Sequence, residues 1–216
     1  MGKASINADI NLLEETFKGR GNHTLTTIFF IDILWLHFMT IKQINLHDLI
    51  CDCPDFPKQG ILFKDINPVF RSNDALNYIS NEFYHTFSKS KVDNVAGIES
   101  RGFVIATALA LKLGKGMIMI RKAGRLPGKT IKKSYDIEYG NAVMEIQKDA
   151  VMQGHSILIA DDLIATGGTA IAAAQLIEEL GGIIAGFAFI IELTSLDGAR
   201  KLRKMGYKVH SLTVYD

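Results

Sequence analysis

Asp161 and Asp162 stand side by side after the apolar run Ile157-Leu-Ile-Ala160, and a few residues later the chain reads Ala165-Thr-Gly-Gly-Thr169. Two adjacent carboxylates could accept hydrogen bonds from two neighbouring hydroxyls, or face a magnesium ion through water. The glycine-rich turn has no side chain at Gly167 or Gly168 to keep an anion away from its backbone N–H groups. At the positive end of a helix dipole such a turn suits a monophosphate. The ATP-binding loop needs a lysine after its glycines, and the dinucleotide fingerprint needs a third glycine; neither is present. A phosphate at one end and a diol at the other describe a ribose 5-phosphate.

Holding these groups requires a strand, a turn and a helix. Residues 157–160 predict a buried strand, and residues 169–180 predict a helix closed by Gly181 as its C′ residue. A second unit of the same design lies upstream. Val92–Ile98 predicts a strand, Glu99-Ser100-Arg101-Gly102 a turn, and Phe103–Leu113 a helix of small residues. A Ser-Arg-Gly turn at a helix start is again an anion site, here with a guanidinium that can grip phosphate oxygens by two bonds.

After a strand at Met117–Arg121 the chain turns basic. Arg121, Lys122, Arg125, Lys129, Lys132 and Lys133 fall in a stretch without an acid, and Gly124, Pro127 and Gly128 predict a mobile loop. A polyanion such as pyrophosphate is the expected client of such a lid, which would exclude water on closing. In Pro54–Pro68 the prolines and Gly60 forbid a long helix. Phe63, expected on irregular backbone there, could lie flat against a purine, although a single Phe in such a place is more often a core residue.

Together these motifs resemble a known family. Ile157–Thr169 is similar to the phosphoribosyl pyrophosphate (PRPP) signature of the type I phosphoribosyltransferases. Its surroundings resemble the adenine phosphoribosyltransferases: Pro54-Asp-Phe-Pro followed by Gly60-Ile-Leu-Phe-Lys-Asp65, then Glu99-Ser-Arg-Gly102, Arg121–Thr130 and Glu192-Leu-Thr-Ser-Leu196. The resemblance implies a reaction of purine salvage, in which adenine and PRPP give AMP and pyrophosphate. It places the 5-phosphate on Ala165, Thr166, Gly167, Gly168 and Thr169, and the ribose on Asp161 and Asp162. Ser100, Arg101, Arg121, Lys122 and Arg125 would hold pyrophosphate, with the Glu99–Ser100 peptide cis. Leu62, Phe63 and Arg101 would bind adenine. Glu138 would be the acid/base, with Arg101 as the other catalytic group, and Tyr139 would cover the base site. Magnesium is the implied cofactor, carried by substrate with no direct protein ligand assigned, and a homodimer is the implied assembly. Lys64 and Arg125 stand where arginine and lysine are common, and Ala123 where proline is common, so individual contacts there need not carry over.

Alternating strands and helices with short joins predict an α/β fold, a twisted, mainly parallel sheet with helices on both faces, carrying a small base-binding hood and a flexible loop. Further elements are predicted as a first helix from Met39, a core-facing helix over 72–89, strands at 183–191 and 207–214, and a helix at 195–205. The chain has 216 residues, 48% apolar and 22% charged, with net charge +1, which fits one domain plus an appendage. That balance gives no bulk electrostatic attraction to nucleic acid or membrane. Cys51 and Cys53 are the only cysteines and read as reduced thiols. With no secretory pattern at Met1, they point to the cytoplasm.

The resemblance covers residues 44–216, leaving 1–43 as an N-terminal extension. Its apolar run Ile28–Phe38 is interrupted by Asp32 and His37 and falls short of the ~20 residues a membrane span needs. Either Met39 is the true start, or the extension packs on the body or on a second subunit. Two rivals stand beside the adenine enzyme: a regulator that senses PRPP without chemistry, and an enzyme for another purine.

Overall fold

The computed structural model describes residues 44–137 and 140–216. The expectations for residues 1–43, Glu138 and Tyr139 lie outside the described residues.

The first described residues do not make the helix expected to run on from Met39. They form a single 3-10 turn, Leu46–Asp48, in which Asn45 accepts from the His47 N–H and donates to the Asp48 carboxylate. Such local side-chain bonds compete with a continuing helix. A hairpin follows, β1 (Cys51–Pro54) antiparallel to β2 (Leu62–Asp65), with Cys53 opposite Phe63. Phe63 therefore sits on a strand, not on irregular backbone. Helix α1 (Asn67–Arg71) leads into α2 (Asn73–Phe87), whose cap is Ser72, its hydroxyl accepting from the Ala75 N–H. Ala75, Ile79, Phe83 and Phe87, four residues apart, are buried along one face.

The body is β3 (Asn94–Ile98), α3 (Arg101–Leu113), β4 (Gly116–Lys122), β5 (Thr130–Ile137), β6 (Gly140–Gln147), β7 (Ser156–Ile164), α4 (Gly168–Glu179), β8 (Ile183–Leu193), α5 (Gly198–Lys204) and β9 (Val209–Tyr215). The helix expected at 195–205 is split by Asp197, which takes a positive φ of 61° between a 3-10 turn and α5. Among the described residues the main sheet runs β5-β6-β4-β3-β7-β8-β9. β4, β3, β7, β8 and β9 are parallel, and β5 and β6 add an antiparallel edge.

Both faces of this sheet are covered. Along β7, Ile157 and Ile159 join the core under α4, while Leu158 and Ala160 join the core under α2 and α3. A strand buried on both sides cannot alternate with polar residues, which is why 157–160 reads as an unbroken apolar run.

After β3 the chain turns toward β4, and after β7 it turns the other way, toward β8. Adjacent strands whose connections diverge leave a crevice at their carboxyl ends, the usual ligand position in sheets of this kind. Gly102, at the start of α3, closes that crevice from one side. A Cβ there would lie 2.7 Å from the Ala160 carbonyl oxygen and 2.9 Å from Asp161 Oδ1, so only glycine lets α3 approach the end of β7 this closely. Gly102→Ala is expected to lower stability by about 1–3 kcal/mol through overpacking. A urea midpoint equal to that of the wild type would show that the two loops can part without strain.

Candidate active site

β7 extends further than the apolar run suggested, to Ile164, and carries Asp161 and Asp162 within it. Both are buried, with 9% and 6% of their surface exposed. The Asp162 N–H donates to Asp161 Oδ1 at 2.9 Å. Asp162 Oδ2 has the Arg101 guanidinium 2.9 Å away, an ion-pair distance, yet the donor is not aligned and the oxygen accepts no hydrogen bond. A buried acceptor of this kind is costly unless something binds to it. Burial pushes the Asp161 carboxyl well above the usual range, and the neighbouring Asp162 charge adds to this. Burial raises Asp162 too, with Arg101 opposing. Two carboxyls kept apart from water and from sufficient cation suit hydroxyl groups arriving as donors.

Arg101 also reaches the hairpin. Its guanidinium carbon lies 4.9 Å from the centre of the Phe63 ring, and Phe56 meets that ring edge-on at 5.0 Å. One side chain thus links the acid pair to an aromatic platform whose neighbour, Leu62, is exposed. Lys64 is engaged elsewhere, 2.6 Å from Asp52 and 4.1 Å from the centre of the Tyr215 ring.

Beyond the acid pair, Ala165 to Thr169 makes the turn into α4. Gly167 caps the helix at φ 86° without a side-chain hydrogen bond, so its first N–H groups have no cap of their own. The turn is fixed from behind: the Gly198 N–H donates to the Ala165 carbonyl at 3.0 Å, and the Lys201 ammonium donates to the Thr166 carbonyl at 3.1 Å. This leaves the helix N-terminus available to an anion.

Across the crevice, the Glu99–Ser100 peptide is cis, as expected from the resemblance. Glu99 gathers the basic segment: Arg121 Nε donates to it at 3.1 Å, Arg125 Nη1 at 2.6 Å and the Lys122 N–H at 3.1 Å. Burial would raise the Glu99 carboxyl, but these donors and charges outweigh it and hold it below the usual range. The basic segment read as a loop has strand at both ends: β4 ends at Lys122 and β5 begins at Thr130, leaving 123–129, with Gly124, Pro127 and Gly128, as the turn, held by the Ala123 N–H to Val143 of β6 and the Lys148 N–H, just after β6, to Lys129.

The structure therefore brings Arg101 together with Asp162 and Phe63, and Arg121 with Arg125; Ser100 is the turn residue ahead of α3, and only the backbone of Lys122 joins the cluster. Sequence reasoning gave no role to Glu99 or to Glu145, which is buried beneath the 123–129 turn. No local pattern marks either, because their hydrogen-bond partners lie 15–26 residues away. For a magnesium ion, Asp161 and Asp162 are suitable oxygen donors, and Asp162 Oδ2 accepts no hydrogen bond. Among the described residues no group of three or more His, Cys, Asp or Glu could hold a metal, so such an ion would draw its other ligands from substrate and water. No described helix is long and apolar enough to cross a membrane.

The family profile described as the phosphoribosyl transferase domain matches residues 68–214. An adenine phosphoribosyltransferase of Nitrosopumilus maritimus is 55% identical over 171 residues, 79% of this chain and 99% of the relative. The crystal structure of the adenine phosphoribosyltransferase of Thermoanaerobacter pseudethanolicus is 44% identical with a TM-score of 0.76, over 82% of this chain and 100% of that one. The Saccharomyces cerevisiae enzyme, solved with an imino-altritol bisphosphate and adenine, is 40% identical with a TM-score of 0.72, over 78% and 96%.

The raised carboxyl of Asp161 has a consequence for stability. A group whose folded pKa exceeds its unfolded value of about 3.9 holds its proton more tightly when folded. Its favourable contribution is complete below that pH and is lost as pH rises toward the folded value. Asp161→Asn removes the loss, so the variant is expected to unfold at higher urea than the wild type at pH 7, with the gap closing toward pH 4. A gap absent at pH 7, or widening on acidification, would contradict the burial argument.

Proposed function

The chain belongs to the adenine phosphoribosyltransferases, and from this we infer its reaction: it transfers the 5-phosphoribosyl group of PRPP to N9 of adenine, giving AMP and pyrophosphate. At the level of residues the reading rests on Arg101, which stands at once beside the acid pair, over the Phe63 ring and at the start of the helix after β3.

In this mechanism the bond from the anomeric carbon to pyrophosphate breaks as the bond to N9 forms, through a transition state with oxocarbenium character. The protein contributes position and charge. The N–H groups of residues 165–169 hold the 5-phosphate, and Asp161 and Asp162 accept from the ribose hydroxyls. Adenine lies on Phe63, with the Leu62 backbone at its edge. Ser100, Arg101, Arg121, Lys122 and Arg125 offset the charge that gathers on the leaving pyrophosphate. In the resting protein Arg121 and Arg125 are paired with Glu99, so pyrophosphate takes over cations already assembled. Glu138 takes the proton from N9, and Tyr139 covers the base. A magnesium ion, when bound, would be held through water by Asp161 and Asp162 and would supply positive charge to offset that of the leaving group.

Residues 44–216 are the catalytic body and 1–43 an extension ahead of it; the near-complete length of the relatives aligns with 79–82% of this chain. A homodimer is part of the reading, supported by exposed Val104 and Leu111, two turns apart on α3, and by exposed Met119 on β4. Free Cys51 and Cys53 fit a reducing cytoplasm. The net charge of +1 gives neither nucleic acid nor membrane a part.

Two variants test the assignment. Phe63→Ala is expected to raise the KM for adenine about 5- to 150-fold, from a stacking term of ~1–3 kcal/mol, with the KM for PRPP unchanged. Asp162→Asn is expected to cut kcat by roughly 100-fold or more while the fold persists. Steady-state kinetics with magnesium would read both, and near wild-type behaviour in either folded variant would contradict the site.

A further inference from the structure

β4 and β5 are consecutive in the chain but not neighbours in the sheet, because β6 lies between them. The 123–129 turn must therefore cross β6, and what it crosses is Glu145. This residue pairs with Arg121 on one side and Lys132 on the other, and only 2% of its surface is exposed. Its Oε1 accepts the N–H groups of Arg125 at 2.8 Å and Leu126 at 2.9 Å, and its Oε2 accepts the Thr130 hydroxyl at 3.1 Å. The Lys132 ammonium stands 3.9 Å away. Burial would raise this carboxyl, yet N–H groups of Leu126, Arg125 and Gly124 and the Thr130 hydroxyl outweigh it and keep it below the usual range. Turn backbone is wrapped around an internal anion, as a nest of N–H groups wraps a bound one.

The shape of that turn decides where two cations stand. Arg121 donates to the Arg125 carbonyl at 3.0 Å, and both guanidinium groups meet at Glu99, next to Ser100 and Arg101. Glu145 does not reach the crevice itself; it fixes the backbone from which Arg125 extends.

We propose that Glu145 is a positioning residue for the pyrophosphate half of the site, holding the 123–130 turn so that Arg121 and Arg125 present their charges to the leaving group. The proposal rests on the assignment of those arginines to pyrophosphate. Glu145→Gln keeps the size of the side chain but sets an amide NH2 against donors that need an acceptor.

The test is steady-state kinetics on the full chain with magnesium, for the wild type, Glu145→Gln, Arg125→Ala and the double variant, with unfolding midpoints alongside. In Glu145→Gln the KM for PRPP and the inhibition constant of inorganic pyrophosphate are expected to rise together, about tenfold. The KM for adenine should stay within about twofold. The double variant should lose less than the two single losses combined, since Glu145 acts in part through Arg125. A loss of stability with PRPP and pyrophosphate affinity unchanged would make Glu145 purely structural and overturn the proposal, as would additive losses. Arg125→Ala with a normal KM for PRPP would remove the premise about the arginines; a defective Arg125→Ala beside a normal Glu145→Gln would overturn the proposal alone. Should Glu145→Gln not fold, Thr130→Val, which removes one donor to the same carboxylate, decides instead. A twofold to threefold rise in the KM for PRPP supports the proposal, and an unchanged KM sinks it.

Discussion

The contact between Arg101 and Asp162 is the constraint on which the site depends. Two carboxyl groups are buried next to each other at the end of a central strand, and the guanidinium beside them, that of Arg101, comes from a different strand-helix unit. Burying charge is expensive, and two like charges in one place are worse. A sequence would not keep this arrangement for stability. On the proposed reading, sugar hydroxyls, a cation carried by substrate, or both complete what the protein leaves incomplete.

The remaining architecture brings these groups to one crevice without distorting the sheet. β3 and β7 are neighbours with diverging connections, so the turns after them face each other, and Gly102 lets the helix after β3 approach the end of β7. The β1–β2 hairpin lies outside the main sheet and offers Phe63 to the same guanidinium. The end of β4 and the turn after it carry Arg121 and Arg125 to Glu99. Carboxylates organise each half by different means. Glu99 and Glu145 are well supplied with donors and sit below their ordinary range, whereas Asp161 and Asp162 are undersupplied and sit above it. The first pair is satisfied within the protein; the second is not.

Much of this was legible in the chain. The strand-turn-helix units around residues 157–180 and 92–113 carry their own signals: apolar runs, glycines at the turns, small residues in the helices. The parallel sheet and the two turns at the helix starts follow from them. Other features were hidden because they depend on contacts distant in sequence. Nothing near Phe63 announces that its segment pairs with Cys51–Pro54 as a strand, and the two ends of the basic run read as loop until β6 is known to lie between β4 and β5. Glu145, between Met144 and Ile146, reads as an ordinary strand charge; its burial follows only once a turn some twenty residues earlier folds over it.

The most direct measurement is PRPP-dependent release of pyrophosphate, with magnesium, across adenine, hypoxanthine, guanine and xanthine. Release with adenine alone is the predicted result, since the hairpin platform and the acid pair then act on the pair of substrates the site was built around. Release with another purine in place of adenine would contradict the base-site assignment, and none with any purine, while PRPP still binds, would contradict catalysis itself.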